Sequence, residues 1–142
     1  MGRFKQAFMR YMDSEGIKYR DVDGSGDDRR VNIGYNCDNI KSVDVSVIFD
    51  DDDDGCVALR SWSLGKVPKD KYAAVLIACN ELNNKFRWVK FCIDKDNDIS
   101  CELDSITSME SVGSEVMFLV RRMVSISDDA YPIIMKAIFG GN

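Results

Sequence analysis

The chain has 142 residues, a formal net charge of −5 at pH 7 and 45% hydrophobic residues. This length suits one hydrophobic core, so we expect a single domain over residues 1–142. No apolar run reaches the roughly 20 residues that a membrane-spanning helix requires. The first residues also lack the apolar segment of a secretory signal. We therefore expect a cytoplasmic protein.

The amino-terminal half predicts one helix followed by strands. Bulky apolar residues recur at helical spacing over 3–15, and Gly16 stands where a helix often ends. Four segments of alternating polarity follow, at 17–22, 31–37, 43–49 and 56–63. Such segments predict four antiparallel strands in a meander. In the third strand, Val43, Val45, Val47 and Phe49 fall on the core side.

The next segment predicts a long helix after Pro68, a residue tolerated in a first helical turn. One apolar stripe contains Tyr72, Val75, Leu76, Cys79 and Leu82. Further apolar residues broaden this stripe, so we expect the helix to be covered on more than one side.

The carboxyl-terminal third predicts a hairpin and two helices. Strands at 87–93 and 99–106 are joined by the turn sequence DKDND. Thr107 and Glu110 have the spacing of a capping box that would start a helix. Pro132 predicts a break near Tyr131 and a short last helix over 132–139. The chain therefore has an α+β pattern, an antiparallel sheet packed with amino-terminal, central and carboxyl-terminal helices.

Residues that commonly perform catalysis are scarce. The chain has no histidine and no glycine-rich phosphate loop. Its five cysteines are odd in number and contain no C-x-x-C pair, so we expect buried free thiols that pack in the core. We predict no catalytic residues, no metal site and no cofactor. A carboxylate-based hydrolase or calcium-dependent enzyme is the weakest hypothesis.

Three aspartate-rich runs raise the question of calcium binding. In the first, Asp21, Asp23 and Asp27 have the spacing that opens an EF-hand loop. The twelfth position is Asn32, where such a loop needs a bidentate glutamate. The other runs, at 49–55 and 94–98, lie between predicted strands as well. We expect all three to form turns.

Negative charge is concentrated in residues 21–54, which carry 11 aspartates and three basic residues, a net charge of −8. This negative field argues against nucleic acid and anionic membranes as partners, and we expect neither. The same negative charge is compatible with a basic protein as partner. One hypothesis is therefore a small acidic inhibitor or immunity-type protein that binds such a partner through the aspartate-rich turns.

Large apolar residues on polar strand faces are candidates for a partner surface. Because side chains alternate along a strand, Ile48 falls on the same face as Asp44 and Ser46. By the same rule Trp62 shares a face with Arg60, and Trp88 shares one with Lys90. A patch containing Ile48, Trp62 and Trp88 would suit a peptide or a second subunit. A helix of the same chain covering that face is the alternative. Arg121 and Arg122 could clamp a carboxylate, and the alternatives are that they lie on the helix surface or form a salt bridge to an aspartate.

Several features of residues 43–139 occur together. Asn80, Leu82, Asn83 and Asn84 end the central helix, the hairpin KFCIDKDNDISCE follows, and Tyr131–Pro132 lies within the last helices. On these features the segment resembles the YbjN family of bacterial sensory transduction regulators. The resemblance implies a fold similar to type III secretion chaperones, often dimeric, that binds polypeptides without catalysis. The leading hypothesis is a cytoplasmic homodimer that acts as a chaperone-like or regulatory protein-binding module.

Overall fold

The computed structural model describes residues 2–22, 29–50 and 52–140. Within these residues the chain forms three α-helices and six strands. In chain order they are α1 (Arg3–Glu15), β1 (Arg20–Asp21), β2 (Arg30–Asn36), β3 (Ser42–Phe49), β4 (Cys56–Ser61), α2 (Tyr72–Lys85), β5 (Lys90–Ile93), β6 (Ile99–Ile106) and α3 (Val112–Phe139). None of these helices combines the length and apolarity that crossing a bilayer requires.

All six strands belong to one antiparallel sheet, in the order β1-β2-β3-β4-β6-β5. The predicted meander and the predicted hairpin are confirmed. The register aligns Val47 with Leu59 and Leu59 with Leu103. Because side chains alternate between the two faces of a strand, this register places one apolar row across the middle of the sheet. The predicted fold class is correct.

The apolar face of the sheet packs against the helices. Phe8 of α1 is fully buried, and its ring centroid lies 5.7 Å from that of Phe49 on β3. α3 contacts α1, α2 and β3. The opposite face of the sheet is exposed at Asp44, Cys92 and Asp104. Within the described ranges no helix covers this second face, because α1 and α3 lie together on the apolar side, so the alternative of a covering helix is wrong for these residues.

The first helix ends as predicted, and the strand after it is shorter than predicted. Gly16 adopts a left-handed backbone conformation at φ 68°, which ends α1 at Glu15. The predicted strand over 17–22 reduces to β1, Arg20–Asp21, which pairs with Asn32 and Val31 of β2. A two-residue edge strand exposes few unpaired backbone groups.

Helix α2 is buried on one side only. Val75, Ala78, Cys79 and Leu82 face the core. Tyr72 and Leu76, which we expected in the buried stripe, are exposed. The prediction of cover on more than one side is wrong, because within the described chain α2 contacts α3 and β5 but has no neighbour on its outer face.

Helix α3 differs from the prediction at its start. The helix begins at Val112, later than the Thr107–Glu110 capping box indicates. The hydroxyl groups of Thr107 and Ser111 both donate hydrogen bonds to the Glu115 carboxylate instead. These bonds lower the pKa of Glu115, that from Ser111 most.

The predicted break near Tyr131 is absent, since α3 continues through Pro132 to Phe139. A proline inside a helix leaves the carbonyl four residues earlier without its N–H donor, here that of Asp128. The Asn39 side-chain amide donates to this carbonyl oxygen at 3.2 Å. A contact from the β2–β3 turn therefore supplies the donor that the proline lacks.

The cysteines are only in part the buried thiols that we expected. Cys79 and Cys101 are buried, whereas Cys92 is exposed on the open face of β5. Burial raises the pKa of Cys101 to about 12 and that of Cys79 to about 11. These two thiols are therefore protonated and unreactive at neutral pH.

Candidate functional site

Two of the three predicted partner-surface residues lie on the open sheet face, but at opposite ends. Ile48 is half-buried near the β3–β4 turn and pairs with Ala58. Trp62, 41% exposed, comes just after the end of β4. Four residues along a strand separate Ala58 from Trp62, which corresponds to about 13 Å. The structure does not join them into one patch.

A charged network lies between Ile48 and Trp62. Arg60 bonds through Nη1 to the Asp104 carboxylate at 2.8 Å, and its Nε lies 3.8 Å from Glu102 Oε1. The same Nη1 donates to the carbonyl oxygens of Leu59 and Leu103. These bonds fix a cation and two carboxylates at the centre of the sheet. The open face is therefore polar at its centre and carries isolated apolar residues at its ends.

Trp88 lies elsewhere, and its predicted position beside Lys90 on the open face is wrong. Its ring packs edge to face against Phe118 of α3, with centroids 5.9 Å apart. The cause is a tight turn, since Trp88 has φ 78° and the Val89 N–H bonds to the Arg87 carbonyl at 3.0 Å. Strand parity does not apply across a γ-turn of this kind. Trp88 therefore belongs to the α3 side of the molecule.

The described aspartates between β3 and β4 form a turn, and one of them also caps a helix. Asp53 accepts hydrogen bonds from the backbone N–H groups of Arg3 at 3.0 Å and Phe4 at 3.2 Å. These two N–H groups have no carbonyl partner within the helix because they belong to the first turn of α1. The two bonds, that from Arg3 first, lower the pKa of Asp53. The turn therefore ties β3–β4 to the start of the first helix.

The metal hypothesis gains no support from the described residues. Asp50, Asp54 and Cys56 have ligand atoms within 4.8 Å of one another. This closeness follows from the turn, where Asp54 accepts a bond from the Cys56 N–H at 3.0 Å. In the first run, Asp21 binds the buried Lys5 ammonium at 2.6 Å. Asp23 and Asp27 lie outside the described residues.

The hairpin aspartates also have local roles. Asp94 accepts bonds from the N–H groups of Asp96 and Asp98, at 2.9 and 3.0 Å. Asn97 takes the left-handed conformation at φ 62°. Asp98 pairs with Lys66 at 3.1 Å. This run is a turn, as the sequence predicted.

Asn83, at the end of α2, closes the edge of the sheet. Its side-chain amide accepts from the Phe91 N–H at 2.7 Å and donates to the Phe91 carbonyl at 3.1 Å. Both backbone groups of an edge residue are thus paired by one side chain. The Lys90 ammonium adds bonds to the carbonyls of Asn83 and Phe86 at the helix end. These contacts protect β5 from pairing with another strand.

One apolar surface that the sequence analysis missed is on α2, on the side away from the core, where Tyr72, Leu76 and Ile77 are exposed. These side chains are 44%, 49% and 61% exposed. Beside Ile77, a groove of about 730 Å³ runs between α2 and the end of α3, with Lys71, Glu81 and Lys136 along it. The sequence did contain a signal for this exposed surface. The α2 segment is apolar nearly all round, and a small domain rarely covers such a helix completely.

The two arginines of α3 do not form the salt bridges that one alternative predicted. The Arg122 guanidinium lies 4.8 Å from the centre of the Phe118 ring. Neither Arg121 nor Arg122 forms an ion pair with any residue of 2–22, 29–50 or 52–140. Both cations are exposed.

A six-stranded antiparallel sheet with helices on one face and an uncovered α2 defines an α+β fold similar to type III secretion chaperones. The family profile described as "Putative bacterial sensory transduction regulator" matches residues 6–134, and the chain belongs to this family, YbjN.

Two solved structures share the fold at low sequence identity. The crystal structure of YbjN from E. coli has a TM-score of 0.63 and 12% identity, covering 92% of this chain and 89% of that one. The heterodimeric complex ExoU–SpcU, from the type III secretion system of Pseudomonas aeruginosa, has a TM-score of 0.58 and 11% identity, covering 93% and 98%. No curated protein sequence matches the chain.

Proposed function

We propose that this protein is a non-enzymatic protein-binding module, chaperone-like or regulatory, that acts as a homodimer. One observation carries the proposal, the exposed outer face of α2. Burying a large apolar side chain contributes about 1.5–3 kcal/mol, so three such side chains together favour association. The similar complex ExoU–SpcU pairs two different proteins, which supports a polypeptide partner.

The charges beside this face are compatible with a second copy as its occupant. Lys71 and Glu81 both line the groove between α2 and α3, beside Ile77. A twofold interface brings the same surface of two copies together, so a surface that carries both a cation and a carboxylate can complement itself.

The composition and the related proteins support a role without catalysis. The chain contains no histidine, and the regulators of this family and the secretion chaperones whose fold it shares are non-enzymatic kinds of protein. Its free cysteines fit a reducing compartment, and we therefore propose a cytoplasmic location.

The acidic-inhibitor hypothesis is the weaker alternative. In the turn before β4, the carboxylates of Asp53 and Asp54 already bind backbone N–H groups of Arg3, Phe4 and Cys56. These two charges are less available to a basic partner than the sequence suggested.

Light scattering after gel filtration tests the dimer. We expect twice the mass of the chain for the natural sequence and a monomer for Ile77→Asp. Ile106→Asp is the matched control, since Ile106 is 74% exposed at the far end of β6 and its substitution should leave the mass unchanged. A natural chain that stays monomeric at every concentration contradicts the proposal.

A further inference from the structure

A second apolar site lies apart from the outer face of α2. A notch of about 310 Å³ is formed by Trp88, Phe118, Leu119, Ser105, Ser114 and Glu115. Trp88 and Phe118 remain 46% and 43% exposed although they contact each other. Two large aromatic rings therefore present apolar surface at one open notch, which we call the aromatic notch.

The backbone at Trp88 is strained. A φ of 78° is unfavourable for a bulky residue, and a γ-turn of this type costs on the order of 1–3 kcal/mol. Glycine or asparagine would make the same turn more easily. This turn conformation places the indole against Phe118 while nearly half of its surface stays exposed. Strain of this kind often marks a binding site.

The charge around the notch is opposite to that of the whole protein. Arg87 adjoins Trp88, and Arg121 and Arg122 lie one helical turn beyond Phe118. None of these three exposed cations forms an ion pair with a described residue. The one carboxylate that lines the notch, Glu115, is bound by the hydroxyls of Thr107 and Ser111. Three exposed arginines without an ion pair among the described residues thus stand next to notch residues in sequence or on the same helix, on a protein of net charge −5.

We propose that the aromatic notch binds an acidic peptide segment of another protein, with one bulky apolar side chain seated between Trp88 and Phe118. The carboxylates of the segment pair with Arg87, Arg121 and Arg122. Arginine suits this role because its guanidinium binds a carboxylate through two parallel hydrogen bonds. The inference deepens the proposed function, since it states the chemistry of the partner. It does not require the α2 dimer.

Tryptophan fluorescence tests the notch directly. The chain has two tryptophans, so a Trp62→Phe variant leaves Trp88 as the only indole. The probe is a short synthetic peptide of glutamates around one central leucine. We expect a saturable change in Trp88 emission. Arg121→Glu with Arg122→Glu should weaken binding about tenfold or more, because each lost pair becomes a repulsion.

Matched controls separate this site from general charge attraction. Lys41→Glu with Lys95→Glu makes the same change in net charge at exposed turn residues and should leave the affinity unchanged. A glutamate peptide without leucine, a lysine analogue and a single-stranded oligonucleotide should bind far more weakly. Equal binding of the leucine-free peptide or the oligonucleotide overturns the proposal, as does equal weakening by the control pair.

Two further variants keep the test independent of folding and of the dimer. Trp88→Asn, followed by amide NMR shifts in place of fluorescence, should lose peptide binding without loss of stability, since asparagine tolerates a positive φ. Ile77→Asp should bind the peptide normally. If the natural chain dimerises but does not bind the peptide, the proposed notch site is refuted and the proposed dimer is not. If the natural chain is a monomer that binds the peptide, the proposed dimer is refuted and the notch site is not.

Discussion

The Asn39 side-chain amide donates a hydrogen bond to the Asp128 carbonyl, across 89 residues of sequence. The Asp128 carboxylate reciprocates by accepting from the backbone N–H groups of Asn39 and Ile40, at 2.8 and 2.9 Å. The β2–β3 turn and the middle of α3 thus bind each other through three bonds. This contact lies where Pro132 removes a helical bond, which explains how a proline is accommodated inside α3.

Asn39→Ala should lower the free energy of unfolding by about 0.5–1.5 kcal/mol, because the Asp128 carbonyl loses its donor. Urea denaturation measures the change. In a Pro132→Ala background the N–H of residue 132 can bond to the Asp128 carbonyl. Asn39→Ala should therefore lower the free energy of unfolding by less in that background. Equal costs in the two backgrounds would show that the bond does not compensate for the proline.

Stability should fall in acid partly through Asp128 and Asp53. Backbone N–H groups lower the pKa of both carboxyl groups, chiefly those of Ile40 and Arg3. Because the folded pKa lies below the unfolded value of about 3.9, the carboxylates stabilise the fold above that pH. This contribution is lost as pH falls through the folded value.

Urea denaturation from neutral pH to about pH 3 measures this loss. The double variant Asp53→Asn with Asp128→Asn should be less stable than the natural chain at neutral pH, and the difference should shrink towards acid. A difference that is constant over the whole range would contradict the assignment.

Asn83→Ala should destabilise the protein by about 1–3 kcal/mol, since both backbone groups of Phe91 lose their partner. Hydrogen exchange should show faster exchange of the Phe91 amide. Asn84→Ala is the matched control, because the Asn84 side chain bonds only within α2, to the Asn80 carbonyl. The control should change stability by less than about 0.5 kcal/mol. Unchanged exchange at Phe91 in the Asn83 variant would argue against edge protection.

Gly113→Ala should destabilise by about 1–3 kcal/mol, although this change inside a helix is usually favourable. A Cβ at Gly113 would lie 2.1 Å from Cγ of Tyr11, where α1 crosses α3. Thermal denaturation reports the change. Adding Tyr11→Ala should remove most of the extra cost. Gly34→Ala is a control of small effect, because its Cβ would meet only the mobile carboxylate of Asp44.

The sequence correctly predicted the elements that depend on interactions between residues close together in the chain. The alternation Val43, Val45, Val47 fixes one face of β3 wherever that strand lies, and Gly16 ends α1 through its own backbone freedom. The aspartate turns at 52–54 and 94–98 followed from the same reasoning. Their second role did not, since nothing near Asp53 in sequence indicates that it caps a helix about 50 residues earlier.

The candidate site was predictable only in part. Ile48 and Trp62 lie on the open face that strand parity assigned to them, but the Arg60 network separates them. Trp88 lies against α3 instead, because its γ-turn interrupts the alternation of side chains along the strand. Whether the three residues bind a partner stays a prediction.

The sequence by itself determined the antiparallel meander, the hairpin, the first helix and the family. Backbone periodicity and turn chemistry act over a few residues, and these can be read along the chain. Only the tertiary structure decided that α3 continues through Pro132, that α2 leaves Tyr72, Leu76 and Ile77 uncovered, and that Trp88 meets Phe118. Each of these outcomes depends on which distant group lies nearby, and spacing along the chain does not contain that information.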